Sequence, residues 1–105
     1  MIEDGLDPVI HSAARLRVMV TLATLKDGDS LSFTRLQNLM AFTSGNLITH
    51  LRKLEAARYV AMNKSGSGVN GVTDVSLTRT GREALDRYVA ALRKLLDSAG
   101  ISPPP

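Results

Sequence analysis

Residues 32–58 read SFTRLQNLMAFTSGNLITHLRKLEAAR, and this stretch decides the fold. Ser32 is a favourable N-cap for a short helix over 33–40, because a serine oxygen accepts hydrogen bonds from the free N–H groups of a first helical turn. Thr43 or Ser44 caps a second helix, which is predicted to end at about Arg58. The apolar residues of each helix fall on one face: Phe33, Leu36, Leu39 and Met40, then Leu47, Leu51 and Leu54. Two short helices separated by a few residues are typical of a helix-turn-helix.

Helical and β patterns flank this pair. Asp7 and Pro8 predict the start of a long helix over 9–25, and Leu31 predicts a very short strand. The apolar stripe of the first helix is Val9, Ala13, Leu16, Val20 and Ala23, and it is widened by Val18, Met19, Leu22 and Leu25. Residues 59–64 and 72–77 alternate as two strands of a β-hairpin, joined by the glycine-rich turn 65–71. Thr78 caps a last helix, predicted to end at about Ala99 before the helix-stopping Gly100.

Two segments resemble a known family. Residues 36–60 look like the reading motif of MarR/ArsR-like winged-helix transcriptional regulators. Residues 77–85, LTRTGREAL, are similar to the LT-x-x-G-x-x-A-L segment that follows the wing in those families. With the flanking helices, the resemblance covers roughly residues 8–97. It implies a regulator that binds double-stranded DNA sequence-specifically, as a dimeric repressor.

The predicted fold class is therefore α+β, mostly α: a winged helix-turn-helix with one antiparallel β-hairpin, the wing, and a C-terminal dimerisation helix. With 105 residues the chain has room for a single core. We divide it into an acidic N-terminal segment (1–7), a winged-helix DNA-binding domain (8–99) that includes the dimerisation helix (78–99), and a flexible proline-rich tail (100–105).

The candidate DNA-binding residues lie mainly on the second helix of the pair. If its leucine row faces inward, a step of about 100° per residue turns the polar residues outward. Arg52 and Lys53 are suited to phosphate contacts, and Gly45 permits a close approach to a duplex. His50 falls on the border between the faces, where core packing and phosphate contact both remain open. The predicted set is Ser44, Gly45, Asn46, Thr49, His50, Arg52, Lys53 and, beside the wing, Lys64.

The charge distribution suits a polyanionic partner. The chain carries 13 basic and 10 acidic residues, for a formal charge of +3, and Glu3, Asp4 and Asp7 place three of the acids in its first seven residues. The tip of the wing, however, is neutral, which weakens the case for its insertion into the minor groove. The alternative is a winged-helix protein–protein interaction module that does not read DNA.

The last helix predicts a homodimer. Leu85, Tyr88, Leu92, Leu95 and Ala99 are spaced 3, 4, 3 and 4 residues apart, as in a heptad seam. We predict a dimer interface made of Leu16, Leu85, Tyr88, Leu92, Leu95 and Leu96. Docking of this helix on its own core alone is the alternative. Arg79 and Arg82, in its first turn, are further candidates for phosphate contacts.

The sequence offers no coherent catalytic constellation, so an enzyme is not expected. There are no cysteines, and we expect neither a metal nor a cofactor. Residues 66–71 match G-x-G-x-x-G, but a β-patterned run follows them where a nucleotide site needs a helix. The acidic start and the lack of a long apolar run predict a cytoplasmic protein without a membrane partner. An unknown small-molecule effector at the dimer interface is left open.

Overall fold

The computed structural model describes residues 5–66 and 71–101. The elements are α1 (Ala13–Ala23), β1 (Leu31–Ser32), α2 (Phe33–Met40), α3 (Ser44–Ala56), β2 (Val60–Ser65), β3 (Val72–Leu77) and α4 (Arg79–Ser98). The predicted order is confirmed, and the chain is a mostly helical winged helix. The central part of the predicted wing tip and the end of the predicted tail lie outside the described residues.

Three helices begin at the caps that the sequence predicts. The side chain of Ser32 accepts a hydrogen bond from the backbone N–H of Arg35, at 3.1 Å. Thr43, one of the two caps left open for α3, accepts from Asn46 at 3.1 Å. Thr78 accepts from Gly81 at 2.9 Å. These caps fix where α2, α3 and α4 start, and with them the phase of each helical face.

The first helix begins at Ala13, later than the predicted start after Asp7. Asp7 does accept from the backbone N–H of Val9 at 2.8 Å, but the bonds it makes close a turn and not a helix. Ser12 is extended, with φ of −152°, and caps α1 by accepting from the N–H of Arg15. A helix cannot continue through an extended residue, so the predicted helix is divided into a turn and a shorter helix.

The buried face of α1 is formed by residues that widen the predicted stripe and not by the centre of the stripe. Val18, Met19 and Leu22 are at most 1% exposed, whereas Val20 from the predicted stripe is 47% exposed. Because α1 is apolar over most of its surface, hydrophobic periodicity alone offers two candidate faces. The choice between them is made by packing against the rest of the domain.

The β-structure is a three-stranded antiparallel sheet in the order β1-β3-β2, one strand more than the hairpin. β2 pairs with β3 from Val60 opposite Leu77 to Ser65 opposite Val72. The short β1, predicted from Leu31, pairs on the other edge of β3, where Leu31 faces Val75. Val75 is fully buried, so the central strand connects the wing to the core.

The core is built almost entirely from aliphatic side chains of all four helices and of the sheet. The predicted leucine row of α3, Leu47, Leu51 and Leu54, is fully buried. This row fixes the rotation of α3 about its axis, because turning the helix would expose three leucines to water. The opposite face of α3 therefore points away from the domain.

Two contacts attach the start of α4 to its neighbours. A Cβ placed on Gly81 would lie 2.1 Å from the carbonyl oxygen of Tyr59, so the first turn of α4 rests directly on the backbone before β2. Arg82 donates from Nη2 to the carbonyl of Ala23 at 3.2 Å and lies 3.4 Å from Asp27. The side chain of Arg82 therefore lies at the C-terminal end of α1, where a cation is favoured. Its phosphate contact stays a prediction.

Candidate nucleic-acid interface

The outer face of α3 is a polar surface that carries no acidic residue before Glu55, near the end of the helix. All of the predicted residues on it are exposed: Ser44, Gly45, Asn46, Thr49, Arg52 and Lys53. A Cβ at Gly45 would meet no atom within 4 Å, so the start of the helix is open on this side. The structure thus brings these six residues together on one helix, with the small side chains first and the cations after them. We refer to this set as the reading face.

The local electrostatics of the reading face favour an anion. No acidic residue lies in the first turn of α3, so the positive end of the helix dipole is not offset. Thr49 donates its hydroxyl hydrogen to the carbonyl of Gly45 at 2.9 Å. Its oxygen therefore faces outward as an acceptor, beside the methyl group of the same side chain. The side chain of Asn46 makes no such bond to its own helix among the contacts of the described residues.

His50 lies away from the reading face, on the side of α3 that meets α1. Its Nδ1 atom is 3.4 Å from Nη1 of Arg15, and its ring is 6.1 Å from the ring of Phe42. Desolvation by burial, then the charges of Arg15 and Lys53, lower the pKa of His50. Of the two roles that the sequence leaves open for His50, this geometry supports packing between helices.

The sequence does not single out Arg15 or Arg17, yet both connect α1 to the helix-turn-helix. Arg15 donates from Nε to the carbonyl of Val9 at 2.6 Å and reaches His50 with its other end. Arg17 lies with its guanidinium carbon 5.6 Å from the centre of the Phe42 ring, a cation–π distance. The two arginines are therefore committed to contacts within the protein.

Lys64 is exposed on β2, where it stands opposite Thr73 in the hairpin. Along β2 and β3 it is the one cation, and Asp74 is the one anion. Arg79 is also exposed, at 94% of its side chain, with Glu83 at 4.0 Å. The wing thus contributes a single positive charge beside the reading face.

Two of the predicted interface residues are buried within the chain itself. Leu85 is 6% exposed and Tyr88 is 3% exposed, so neither has surface left for a partner. Their assignment to a dimer interface was wrong, because the first half of the α4 seam packs on its own core. Leu16 and Leu92 are half-buried and pack against the same core.

The end of α4, unlike its first half, leaves apolar side chains exposed. Leu95 is 45% exposed, and Leu96 is only partly buried and does not pack on the core cluster. The helix closes with hydrogen bonds from Gly100 to Asp97 at 3.0 Å and from Ile101 to Leu96 at 2.8 Å, the Schellman pattern. Gly100 supplies the required left-handed conformation, with φ of +76°. The motif holds Ile101, which is 56% exposed, next to the last leucines.

A groove of about 630 Å³ lies between the end of α1 and the start of α4. Leu22 and Leu77 contribute to its wall, and charged residues of both signs surround them: Lys26, Asp27, Asp29, Arg79, Arg82, Glu83 and Asp86. Within residues 5–66 and 71–101, no three histidine, cysteine or acidic side chains are grouped as they would be around a metal ion. None of the helices in those ranges is long and apolar enough to cross a membrane.

Comparison with known proteins agrees with the winged-helix architecture. The family described as winged helix DNA-binding domain matches residues 14–96. A protein of Methanocaldococcus jannaschii whose function is uncharacterised is 29% identical over 87 residues, which are 83% of this chain and 91% of that protein. A transcriptional regulator homologue from Pyrococcus horikoshii superposes with a TM-score of 0.76 at 26% identity and covers 87% of both chains.

The fold is also that of the MarR regulators that the sequence resembles. A MarR family transcriptional regulator from Silicibacter pomeroyi has a TM-score of 0.63 at 25% identity, over 90% of this chain and 62% of that one. MepR from S. aureus, solved as a DNA complex, shares the fold with a TM-score of 0.70 at 12% identity, over 91% and 76% of the two chains. The protein is a MarR-like winged-helix protein. It belongs to the winged helix DNA-binding domain family.

Proposed function

We propose that this protein is a transcriptional regulator that binds double-stranded DNA sequence-specifically as a homodimer, and that it is not an enzyme. The reading face carries this proposal: six exposed residues without an acid, on a helix whose opposite side is fixed by three buried leucines. Family membership supports the same function. A regulator of this kind acts on DNA in the cytoplasm, and binding over a promoter makes it a repressor.

In the proposed complex the N-terminal half of α3 enters the major groove, as recognition helices do in this motif. The amide of Asn46 can form a bidentate pair with adenine, and the outward oxygen of Thr49 can accept from an exocyclic amine. Arg52, Lys53 and, from the wing, Lys64 supply phosphate contacts. Ser44 and the open helix start at Gly45 lie where the DNA backbone passes closest.

The homodimer is proposed from the end of α4. Its last turns carry Leu92, Leu95 and Leu96, continued by Ile101, and the apolar surface at Leu95 and Ile101 has no partner among residues 5–66 and 71–101. A second copy is the partner that this surface fits, because a symmetric pair buries both seams at once. Two reading faces also compensate for a wing with one positive charge.

The test is selection from a randomised duplex pool, with sequencing, at two salt concentrations. We expect an enriched inverted repeat with half-sites about one helical turn apart. The logarithm of the binding constant should fall with the logarithm of salt concentration, with a slope of about −0.9 for each phosphate contact. The absence of any enriched sequence would contradict DNA readout and favour the protein–protein interaction module, the alternative that the nearly neutral wing supports.

The assignment of the reading face is tested by replacing Asn46 and Thr49 with alanine. Discrimination between the selected and a scrambled site should decrease by about 1–3 kcal/mol for each base that is no longer recognised, because alanine offers no hydrogen-bonding group. As a comparison, Arg52→Ala with Lys53→Ala should weaken binding to both duplexes and reduce the salt slope by about one for each phosphate contact. Unchanged discrimination in the first variant would mean that α3 is docked in another way.

A further inference from the structure

We propose that Arg15 is a positioning residue for DNA recognition: it holds α3, through His50, at the rotation in which the reading face meets the groove. The inference rests on the proposed function and extends it to a residue on a different helix. Arg15 lies on α1, and the contacts that it makes join the N-terminal segment to the recognition helix.

The first step is that one end of the Arg15 guanidinium is anchored. Its Nε donates to the carbonyl oxygen of Val9 at 2.6 Å. The backbone of Val9 is itself fixed, because its N–H donates to Oδ1 of Asp7 at 2.8 Å. Oδ2 of the same carboxylate accepts from the hydroxyl of Tyr59, at the start of the hairpin. These hydrogen bonds therefore fix the orientation of the Arg15 guanidinium and restrict its movement into solvent.

The second step is the contact with α3. Nη1 of Arg15 lies 3.4 Å from Nδ1 of His50, and arginine has only donors, so Nδ1 must be the acceptor. His50 is then the neutral tautomer that carries its hydrogen on Nε2. The Phe42 ring, 6.1 Å from the imidazole, limits movement on another side.

The third step is the effect on the reading face. His50 directly follows Thr49, and Asn46 lies one turn earlier on the same helix. A side chain extends about 5–6 Å from the helix axis, so a rotation of about 10° displaces its end by about 1 Å. Displacements of that size are enough to lose a hydrogen-bond geometry at a functional site. The contact of Arg15 with His50 therefore affects DNA recognition, although Arg15 itself does not touch DNA.

The experiment measures binding to the selected duplex and its salt slope for Arg15→Ala, Arg15→Lys and wild type. We expect each variant to bind about tenfold more weakly, the order of one hydrogen bond to a charged group, with the salt slope unchanged. Lysine keeps the charge but lacks the planar fork that spans Val9 and His50, so it should not rescue binding. His50→Asn, which retains an acceptor oxygen close to the position of Nδ1, should bind better than His50→Ala.

A second readout uses the free protein. The charge of Arg15 contributes to the lowered pKa of His50, so Arg15→Ala should raise that pKa in an NMR titration while Arg15→Lys leaves it low. Arg17→Ala, two residues along α1 and directed at Phe42, is the matched control and should leave the His50 titration unchanged. A combined Arg15→Ala and His50→Ala variant should bind DNA no more weakly than the weaker single variant.

The outcomes separate this inference from the proposed function. A wild-type protein that selects a duplex, with an Arg15→Ala variant of equal affinity, overturns the positioning role and leaves the regulator standing. A smaller salt slope for both Arg15 variants makes Arg15 a phosphate contact and also overturns the positioning role. A wild type that selects no sequence overturns the proposed function, and the positioning role with it.

Discussion

At the scale of single residues, Gly81 on α4 and Gly45 on α3 lack a side chain for opposite reasons. Gly81 has no room for a side chain, since a Cβ there would collide with the Tyr59 carbonyl and approach Leu77. Gly45 has free space around it, so its lack of a side chain serves nothing within the chain. In the proposed complex, a close approach of DNA to the start of α3 would give Gly45 a function.

Alanine substitutions at these two glycines should therefore change the free energy of unfolding in opposite directions. Gly81→Ala should lower the free energy of unfolding by about 3 kcal/mol, because backbone must move to admit the methyl group. Gly45→Ala should raise it by roughly 0.5 kcal/mol, since alanine favours the helix, while DNA binding weakens. Urea unfolding and duplex titration measure both quantities. Tighter DNA binding by Gly45→Ala would contradict the close approach.

The lowered pKa of His50 gives a prediction about pH. Because the pKa is below its ordinary value of 6.5 in the folded chain, the unfolded chain takes up the proton first as pH falls. The contribution of His50 to the free energy of unfolding should therefore be fully present above pH 6.5. It should decrease as pH falls towards the pKa of His50 in the folded state. The charged groups that face His50 are Arg15 from α1 and Lys53 on its own helix.

Urea unfolding at about pH 7.5 and about pH 5.5 measures this effect, with His50→Asn as the control. The comparison that matters is the difference between wild type and the variant. Wild type should lose more stability than His50→Asn on acidification. An equal loss would mean that His50 is not held as an acceptor by its surroundings.

The residues of the reading face could be predicted from the sequence, and the Arg15–His50 brace could not. A buried leucine row on one helix fixes which side faces outward, so Asn46 and Thr49 follow from local periodicity. Arg15 and His50 are 35 residues apart, and their contact depends on how two helices cross. A cation in the apolar first helix is the signal available in the sequence, and it does not name a partner.

At the scale of elements, three helices end in the same Schellman pattern, but only α4 ends with glycine. In α2 and α3 the left-handed position is taken by Ala41, with φ of 57°, and Arg58, with φ of 65°. Phe42 donates to Gln37 and Tyr59 to Leu54, as the motif requires. A left-handed conformation costs a residue with a Cβ roughly 1–2 kcal/mol, and this cost is borne twice around α3.

Ala41→Gly should consequently stabilise the protein. Glycine removes the left-handed penalty of about 1–2 kcal/mol. It also raises the conformational entropy of the unfolded chain, which costs about 0.5–1 kcal/mol, so the free energy of unfolding should increase by a net amount of about 0.5–1 kcal/mol. Ala57→Gly is the matched control: Ala57 has φ of −81°, so glycine there brings only the entropic loss and should destabilise. Loss of stability at both positions would show that the α2 end is not strained.

The element boundaries also show how much local sequence can specify. Ser32, Thr43 and Thr78 act as predicted caps because the first turn that each serves continues into an uninterrupted helix. Asp7 makes the expected local bonds, yet Ser12 interrupts the chain and starts α1 anew. The two competing caps have similar local chemistry, and the burial of Ile10 between them is a tertiary effect that local sequence does not specify.

At the scale of the whole molecule, the heptad seam on α4 is only partly buried within the described part of the chain. The sequence pattern is uniform from Leu85 to Ala99, so it cannot distinguish packing within the chain from packing between copies. The structure divides it: Leu85 and Tyr88 belong to the core, and Leu95 is left 45% exposed. The surface that remains is small, so the proposed dimer should be sensitive to a single charge.

Leu95→Glu should therefore give monomers that still fold. A carboxylate at the centre of the proposed seam would have to be desolvated twice in a symmetric pair, whereas in a monomer it stays in water. Leu39→Glu is the matched control, because Leu39 is 48% exposed on α2 and lies outside the seam. Sedimentation measures the mass of each variant, and circular dichroism checks that both fold.

Loss of the proposed dimer should also change how the protein binds an inverted repeat. A monomer engages one half-site, so Leu95→Glu should lose the preference for an inverted repeat over a single half-site, while each reading face still binds its own half-site. Leu39→Glu, if it stays dimeric, should keep that preference. A dimeric Leu95→Glu would place the interface elsewhere. A monomer that still prefers the inverted repeat would mean that the two copies meet only on DNA, through surfaces other than the end of α4.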